Sequence, residues 1–456
     1  LRKRSVAAAR SNDLGELHAE KADYGEATRT IHLHTLHISG DRLSKDRHGR
    51  QAQIARYPLC VTAAPRPTAK LATAVDAVAY GNRSTPGRLA GFGLLLLCAC
   101  GAPDGADSHT HVAADPIRIV VAPEVRAQYR QSHGFDDQSI NTWETGTLQF
   151  GKEPPTSCQL HARGRTTKQF ARKSYTVKLL AKQPVLPGKK LRRLFLLNLG
   201  FDPHHFEMRF AYSCLADFDL FPPRNQLVRL FVNNDDEGIY LLCERHENAI
   251  RRAYPDVVAI LRCKNTKSSL EWAAEGIDGY ETMAKLTSAM ELDDAEQRAQ
   301  TIETLIDVDG LTAWMACNSL MQNADTSGEL FLYERREPGQ KVGRFGVMGW
   351  DYDDLMLPPI HPDKILEHAL TWASEIDLEK AVLKTEPLAR RYRQTLHRLL
   401  TVGLPQSLVE SRLTQLRIAL DAADPAGAAD RKEAIAAFAA NLQARREVLL
   451  AALTQH

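Results

Sequence analysis

The sequence predicts an α+β fold, β-rich in its first ordered part and mainly helical in its second. Between Pro116 and about residue 246, short apolar runs, several alternating with period two, are divided by turn residues. Beyond about residue 270 the apolar residues recur at helical spacing, broken by two strand-like runs around a Pro338-Gly339 turn. The chain has 456 residues, 44% hydrophobic and 25% charged, which gives room for two or three lobes around a real core. The same values exclude collagen-like, disulfide-scaffold and wholly disordered chains. No internal repeat is visible.

The first hundred residues read differently from the rest. They hold 15 Lys+Arg against 8 Asp+Glu, whereas the remaining residues hold 43 against 48. The formal net charge of +2 therefore describes neither part and gives no support for a globally basic nucleic-acid binder. Only four of the 31 aromatic residues, Tyr24, Tyr57, Tyr80 and Phe92, fall in this segment, which is poor core material. Arg83 and Arg88 precede an apolar run from Leu89 to Leu97 that closes on Cys98-Ala99-Cys100-Gly101, the pattern of a secretory signal peptide. The run is too short to span a bilayer about 30 Å thick. It is similar to a bacterial lipobox, with Cys100 as the lipidated residue and the protein exported and held at the cell envelope by its lipid anchor alone. On this reading residues 1–74 are a disordered or spurious upstream extension, 75–100 the signal peptide and 101–115 a polar linker. Eight cysteines occur, and their spacing offers no C-x-x-C zinc site.

Residues 116–246 read as a β-rich lobe. Strands are predicted at 117–121, 158–163, 175–180, 193–197, 227–232 and 239–243, with one helix over 206–218 and a hairpin loop from Asn233 to Gly238. Residues 247–456 read as a helical lobe, with helices at 280–290, 295–305, 308–321 and several between 378 and 453. The Ala-rich stretch from Ala422 reads as a helical pair, and strands at 330–333 and 345–350 make the interrupting hairpin.

That hairpin carries the most informative chemistry. Asp325 and Glu329 precede its first strand and Asp351-Tyr352-Asp353-Asp354 follow its second, so acidic residues can converge in one cleft. Hard divalent cations take oxygen ligands of this kind, and a separate carboxylate can accept a proton from a hydroxyl nucleophile. Upstream, Arg163-Gly164-Arg165 and Arg172-Lys173 bracket a turn that could cover phosphates, although no standard phosphate-loop motif is present.

Several segments, in order, resemble the spore-coat protein H (CotH) kinase family. They are Arg163-Gly164 with Lys173-Ser174-Tyr175; Leu197-Asn198 with Asp202 and Arg209; Val228 to Asn233 with Gly238-Ile239-Tyr240 and Glu244; Asp325 with Phe331-Leu332-Tyr333; and Trp350-Asp351-Tyr352-Asp353. The resemblance covers about residues 116–400. It implies an atypical, two-lobed protein-kinase-like fold that binds ATP and Mg²⁺ (or Mn²⁺) between lobes and phosphorylates Ser or Thr of an exported or envelope protein. By position it implies Asp325 and Lys173 as catalytic residues, Lys173, Arg163 and Glu244 at the nucleotide, and Asp351 and Glu329 at the metal. Glu329 stands where the family usually carries a metal-binding Asn. The alternative reading is a pseudokinase or a structural envelope lipoprotein without catalysis.

Overall fold

The alternating apolar runs fold into a closed barrel. β1 (Ile117–Val121), β2 (Glu144–Phe150), β3 (Thr156–Arg163), β4 (Ser174–Leu186), β5 (Lys189–Leu197), β6 (Asn225–Val232) and β7 (Asp235–Glu244) pair in the order β1-β2-β3-β4-β5-β7-β6. The ring closes where β1 runs parallel to β6, with Ile117 opposite Leu230 and Ile119 opposite Val232. Alternate residues point inward, and Ile119, Leu148, Leu160, Val177, Leu194, Leu230 and Leu242 fill the interior. This is an α+β protein whose first part is a barrel. The computed structural model describes residues 115–455 apart from 135–136, 187–188, 265–266, 327, 358–369 and 373–375. The leader, its Cys100 and the residues assigned to an upstream extension lie outside the described residues.

A second sheet takes the order β11-β10-β8-β9, built from β8 (Val257–Lys264), β9 (Lys267–Ala273), β10 (Leu330–Arg335) and β11 (Arg344–Gly349). Around it stand α4 (Glu281–Met290), α5 (Ala295–Leu305), α6 (Val308–Met321), α7 (Asp377–Lys384), α8 (Glu386–Arg398), α9 (Gln406–Ala423) and α10 (Ala428–Leu453). α6 is apolar on every side and runs through the middle of the second core.

β1, β3, β6, β7, α5 and α6 lie close to where periodicity places them, and β4 and β5 extend beyond their expected bounds. Three expectations are corrected. The Ala-rich stretch from Ala422 is not a helical pair; beyond the end of α9 it is one 26-residue helix, α10, packed on α9 and α6. The hairpin loop is tighter than Asn233–Gly238, because Asn233 and Asn234 both adopt positive φ and β7 resumes at Asp235. The helix over 206–218 is α2, Glu207–Ala216, and it belongs to the second core: Phe206 and Phe210 set their rings edge-on against Phe438 of α10. The reading also passed over α1 (Pro123–Gln131), α3 (His246–Ala253), β2, β8 and β9. Cys158, Cys214, Cys243, Cys263 and Cys317 are buried and unbridged. Among the described residues, no helix is long and apolar enough to cross a membrane.

Candidate active site

The register of the β10–β11 hairpin gathers the acidic residues. Leu330 pairs with Gly349, so Glu329 and Trp350 face each other at the open end, where the Trp350 amide donates to the Glu329 carbonyl at 2.8 Å. The chain then turns through Asp351, whose φ of 56° lies in the left-handed region. A non-glycine residue held there is strained, a feature that clusters at functional sites. α6 delivers the other half. It ends on Gln322 with φ 49°, and the following Ala324 amide donates to the Asp354 carbonyl at 3.1 Å. Tyr352, fully buried, donates its hydroxyl to Asn318 Oδ1 on α6 at 2.7 Å and fixes the turn. Segments 323–329 and 350–356 are thereby tied side by side.

Asp325, Glu329, Asp351, Asp353 and Asp354 share one field as a result. Burial, then the Asp351 charge, push the Glu329 carboxyl well above its usual range, with Asp325 adding to the push. Asp353 is raised by burial and by Asp351, Asp354 and Glu329. Asp354 is raised to about 7 by burial, Asp351 and Asp325. Asp351 is raised by burial, while Arg163 and Arg262 pull it back.

Two arginines supply the counter-charge. Arg262 lies on β8 opposite Phe331, and donates to Glu329 Oε1 at 2.6 Å and to the Gly328 carbonyl. Arg163 ends β3 and spreads over the Phe195 ring, its guanidinium carbon 3.9 Å from the centroid. Beside it the Gly164 backbone takes φ 94°, and a Cβ there would run into Thr167 Oγ1. Arg163, Gly164, Ser174, Asn198, Asp351 and Asp353 line part of a small cavity of about 50 Å³.

Of the residues expected at the site, Asp325, Glu329, Asp351 and Arg163 are brought together. Lys173 is placed elsewhere. It is fully buried, and its ammonium donates to three main-chain carbonyls, those of Ser132, Lys168 at 2.7 Å and Phe170 at 2.5 Å. It acts as a peg for the turn between β3 and β4. Glu244 is engaged within the fold: its carboxylate pairs with Arg252 at 2.8 Å and accepts from the Arg224 amide. The sequence reading missed Arg262. The signal was there, a lone arginine inside the apolar run Val257–Cys263, where a buried cation requires a partner.

The donor set fits a divalent cation of the Mg²⁺ class. It is all carboxylate oxygen, and Glu329 Oε2 is buried without a hydrogen-bond partner.

The described geometry can be set beside known proteins. A search of curated proteins finds no match. Among solved structures, the proinflammatory kinase CtkA of Helicobacter pylori aligns at 9% identity over 62% of this chain and 94% of that one, with a TM-score of 0.29, a likeness too low to argue from. A family model described as CotH kinase protein matches residues 160–425, a span that holds Arg163, Arg262, Asp325, Glu329 and Asp351. With more than half of its length matched in this way, the chain belongs to the CotH kinase protein family.

Proposed function

We propose that this chain is an atypical protein kinase that transfers the γ-phosphoryl group of ATP to a Ser or Thr hydroxyl of a protein substrate. The observation that carries the reading is the convergence of Asp325, from the end of α6, with Asp351, from the end of β11, beside two arginines. In this reading the substrate oxygen attacks the γ-phosphorus, the bond to the ADP oxygen breaks, and Asp325 accepts the hydroxyl proton. Asp351 and Glu329 would hold the divalent cation, with Asp353 beside them; when bound, that ion neutralises charge on the phosphates. Arg163, and Arg262 once it exchanges its Glu329 partner, add positive charge where it develops on the transferred group. Lys173 contributes by holding the covering turn in place.

A second reading has its own observation. The cavity of about 50 Å³ accommodates an ion or a water and is far below the ~300 Å³ of a small-molecule site. Arg262 also already occupies Glu329. Both features suit a pseudokinase.

One experiment separates the two. The full chain is incubated with γ-labelled ATP, Mg²⁺ or Mn²⁺ and a generic protein acceptor, beside Asp325→Asn and Asp351→Asn. Label transfer that falls at least ~100-fold in both variants supports the kinase. Metal-dependent ATP binding without transfer establishes the pseudokinase, and the absence of binding overturns both.

A further inference from the structure

A second group of metal-ligating side chains lies across Arg262 from the acidic cluster. His246 and Glu247 open α3, directly after the last barrel strand, and Glu271 lies on β9 of the second sheet. One ligand atom from each of the three lies within 4.8 Å of the other two. Among the described residues, this is where three such groups come that close; the carboxylates around Asp351 share a field without converging to this degree.

The burial of His246 points to a ligand. The residue is 8% exposed, walled by Phe331 and Trp350 at ring-centroid distances of 4.3 and 5.3 Å, yet neither ring nitrogen has a hydrogen-bond partner. Glu247 Oε2 is likewise buried and without a hydrogen bond. His246 Nε2 and Glu247 Oε2 stand 3.6 Å apart, too far for a hydrogen bond. It is the separation that two ligands take around a shared ion bound at ~2.1 Å by each. Arg163, Arg245 and Arg262 surround the imidazole. The surrounding cations are themselves engaged: Arg262 with Glu329, Arg245 with Glu247 Oε1, and Arg163 facing Asp351. Arg245 thus orients Glu247 through one oxygen and leaves the other for an ion.

We propose that His246, Glu247 and Glu271 form a site for a divalent transition-metal ion of the Zn²⁺ type. One imidazole with two carboxylates suits such an ion, whereas Mg²⁺ prefers oxygen alone. The ion would pin the start of α3 to β9, where the chain leaves the barrel and enters the second sheet. It is independent of nucleotide and of phosphoryl transfer.

The test uses the metal-free full chain titrated with Co²⁺ in excess Mg²⁺, which occupies all-oxygen sites. Co²⁺ coordination is read from its visible d–d absorption, and Zn²⁺ is added as competitor. One equivalent of Co²⁺ should bind and be displaced by Zn²⁺. Binding should be lost in His246→Ala and weakened at least ~10-fold in Glu271→Gln. Glu271 is exposed, so that variant keeps its fold and decides the matter even where His246→Ala does not fold. Absent Co²⁺ uptake by the wild type, uptake unchanged in Glu271→Gln, or uptake abolished only by Asp351→Asn each overturns the site.

Discussion

Several residues that carry the family resemblance prove to be joinery. Asn198 accepts from Ser174 Oγ and the Gly200 amide, each at 3.1 Å, and donates to the Arg172 carbonyl, so it locks the ends of β4 and β5. Tyr240 donates its hydroxyl to the Lys173 carbonyl at 3.1 Å. Lys173 itself satisfies three carbonyls. A sequence shows a lysine beside a Ser-Tyr pair; it does not show whether the ammonium faces phosphate or backbone, because both accept hydrogen bonds from it. The structure makes the difference testable. Lys173→Met should destabilise the nucleotide-free chain by about 2–4 kcal/mol, since buried acceptors lose a charged donor. Urea unfolding without nucleotide reads this directly. An unchanged midpoint together with weakened ATP binding would return Lys173 to the phosphates.

At the scale of elements, legibility followed burial on one face. β3 alternates cleanly and β6 nearly so because one side fills the barrel, β7 is read from its continuous buried run, and α5 and α6 have bounds that their periodicity marks. β2 failed because Glu144–Phe150 has one fully buried residue, Leu148, and a glycine. β8 is buried along nearly its whole length, so its apolar run carries no period to read. Barrel closure was invisible for another reason: it pairs β1 with β6, far apart in sequence, and Asn233 clamps the seam. Its Oδ1 accepts from the Val121 amide at 2.9 Å, its Nδ2 donates to the Val121 carbonyl at 3.0 Å, and its φ is 50°. Asn233→Ala removes both bonds and the left-handed preference, a loss of about 2 kcal/mol, whereas Asn233→Gly keeps the turn and forfeits only the bonds. Amide hydrogen exchange should speed up in β1 and β6 in both variants, more in the alanine one. Equal protection in wild type and Asn233→Ala would show that the β1–β6 pairing holds the seam alone.

At the scale of the whole molecule, the raised carboxyls set how stability depends on pH. Asp202, buried near the start of α2 while accepting from the Phe206 and Met208 amides, and Asp354 at the site both sit at about 7 in the folded chain. In the unfolded chain such groups ionise near 4. Between about pH 4 and 7 the folded state therefore binds more protons than the unfolded one, and stability must fall as pH rises, levelling off above about 7. Glu329 and Asp353, raised further, extend the slope upward. A divalent cation binds the ionised forms, so Mg²⁺ should offset the loss, raising the melting temperature more at pH 8 than at pH 5.5. The two aspartates separate the contributions. Asp354→Asn should flatten the slope and shrink the Mg²⁺ gain together, whereas Asp202→Asn, at a carboxyl raised by burial and engaged by the Phe206 and Met208 amides, should flatten the slope and leave the gain intact. Thermal unfolding across this pH range, with and without Mg²⁺, decides it. Stability that climbs from pH 5.5 to 8 in the metal-free chain, or an Mg²⁺ gain independent of pH, would mean that these carboxylates are already ionised and compensated by Arg163 and Arg262.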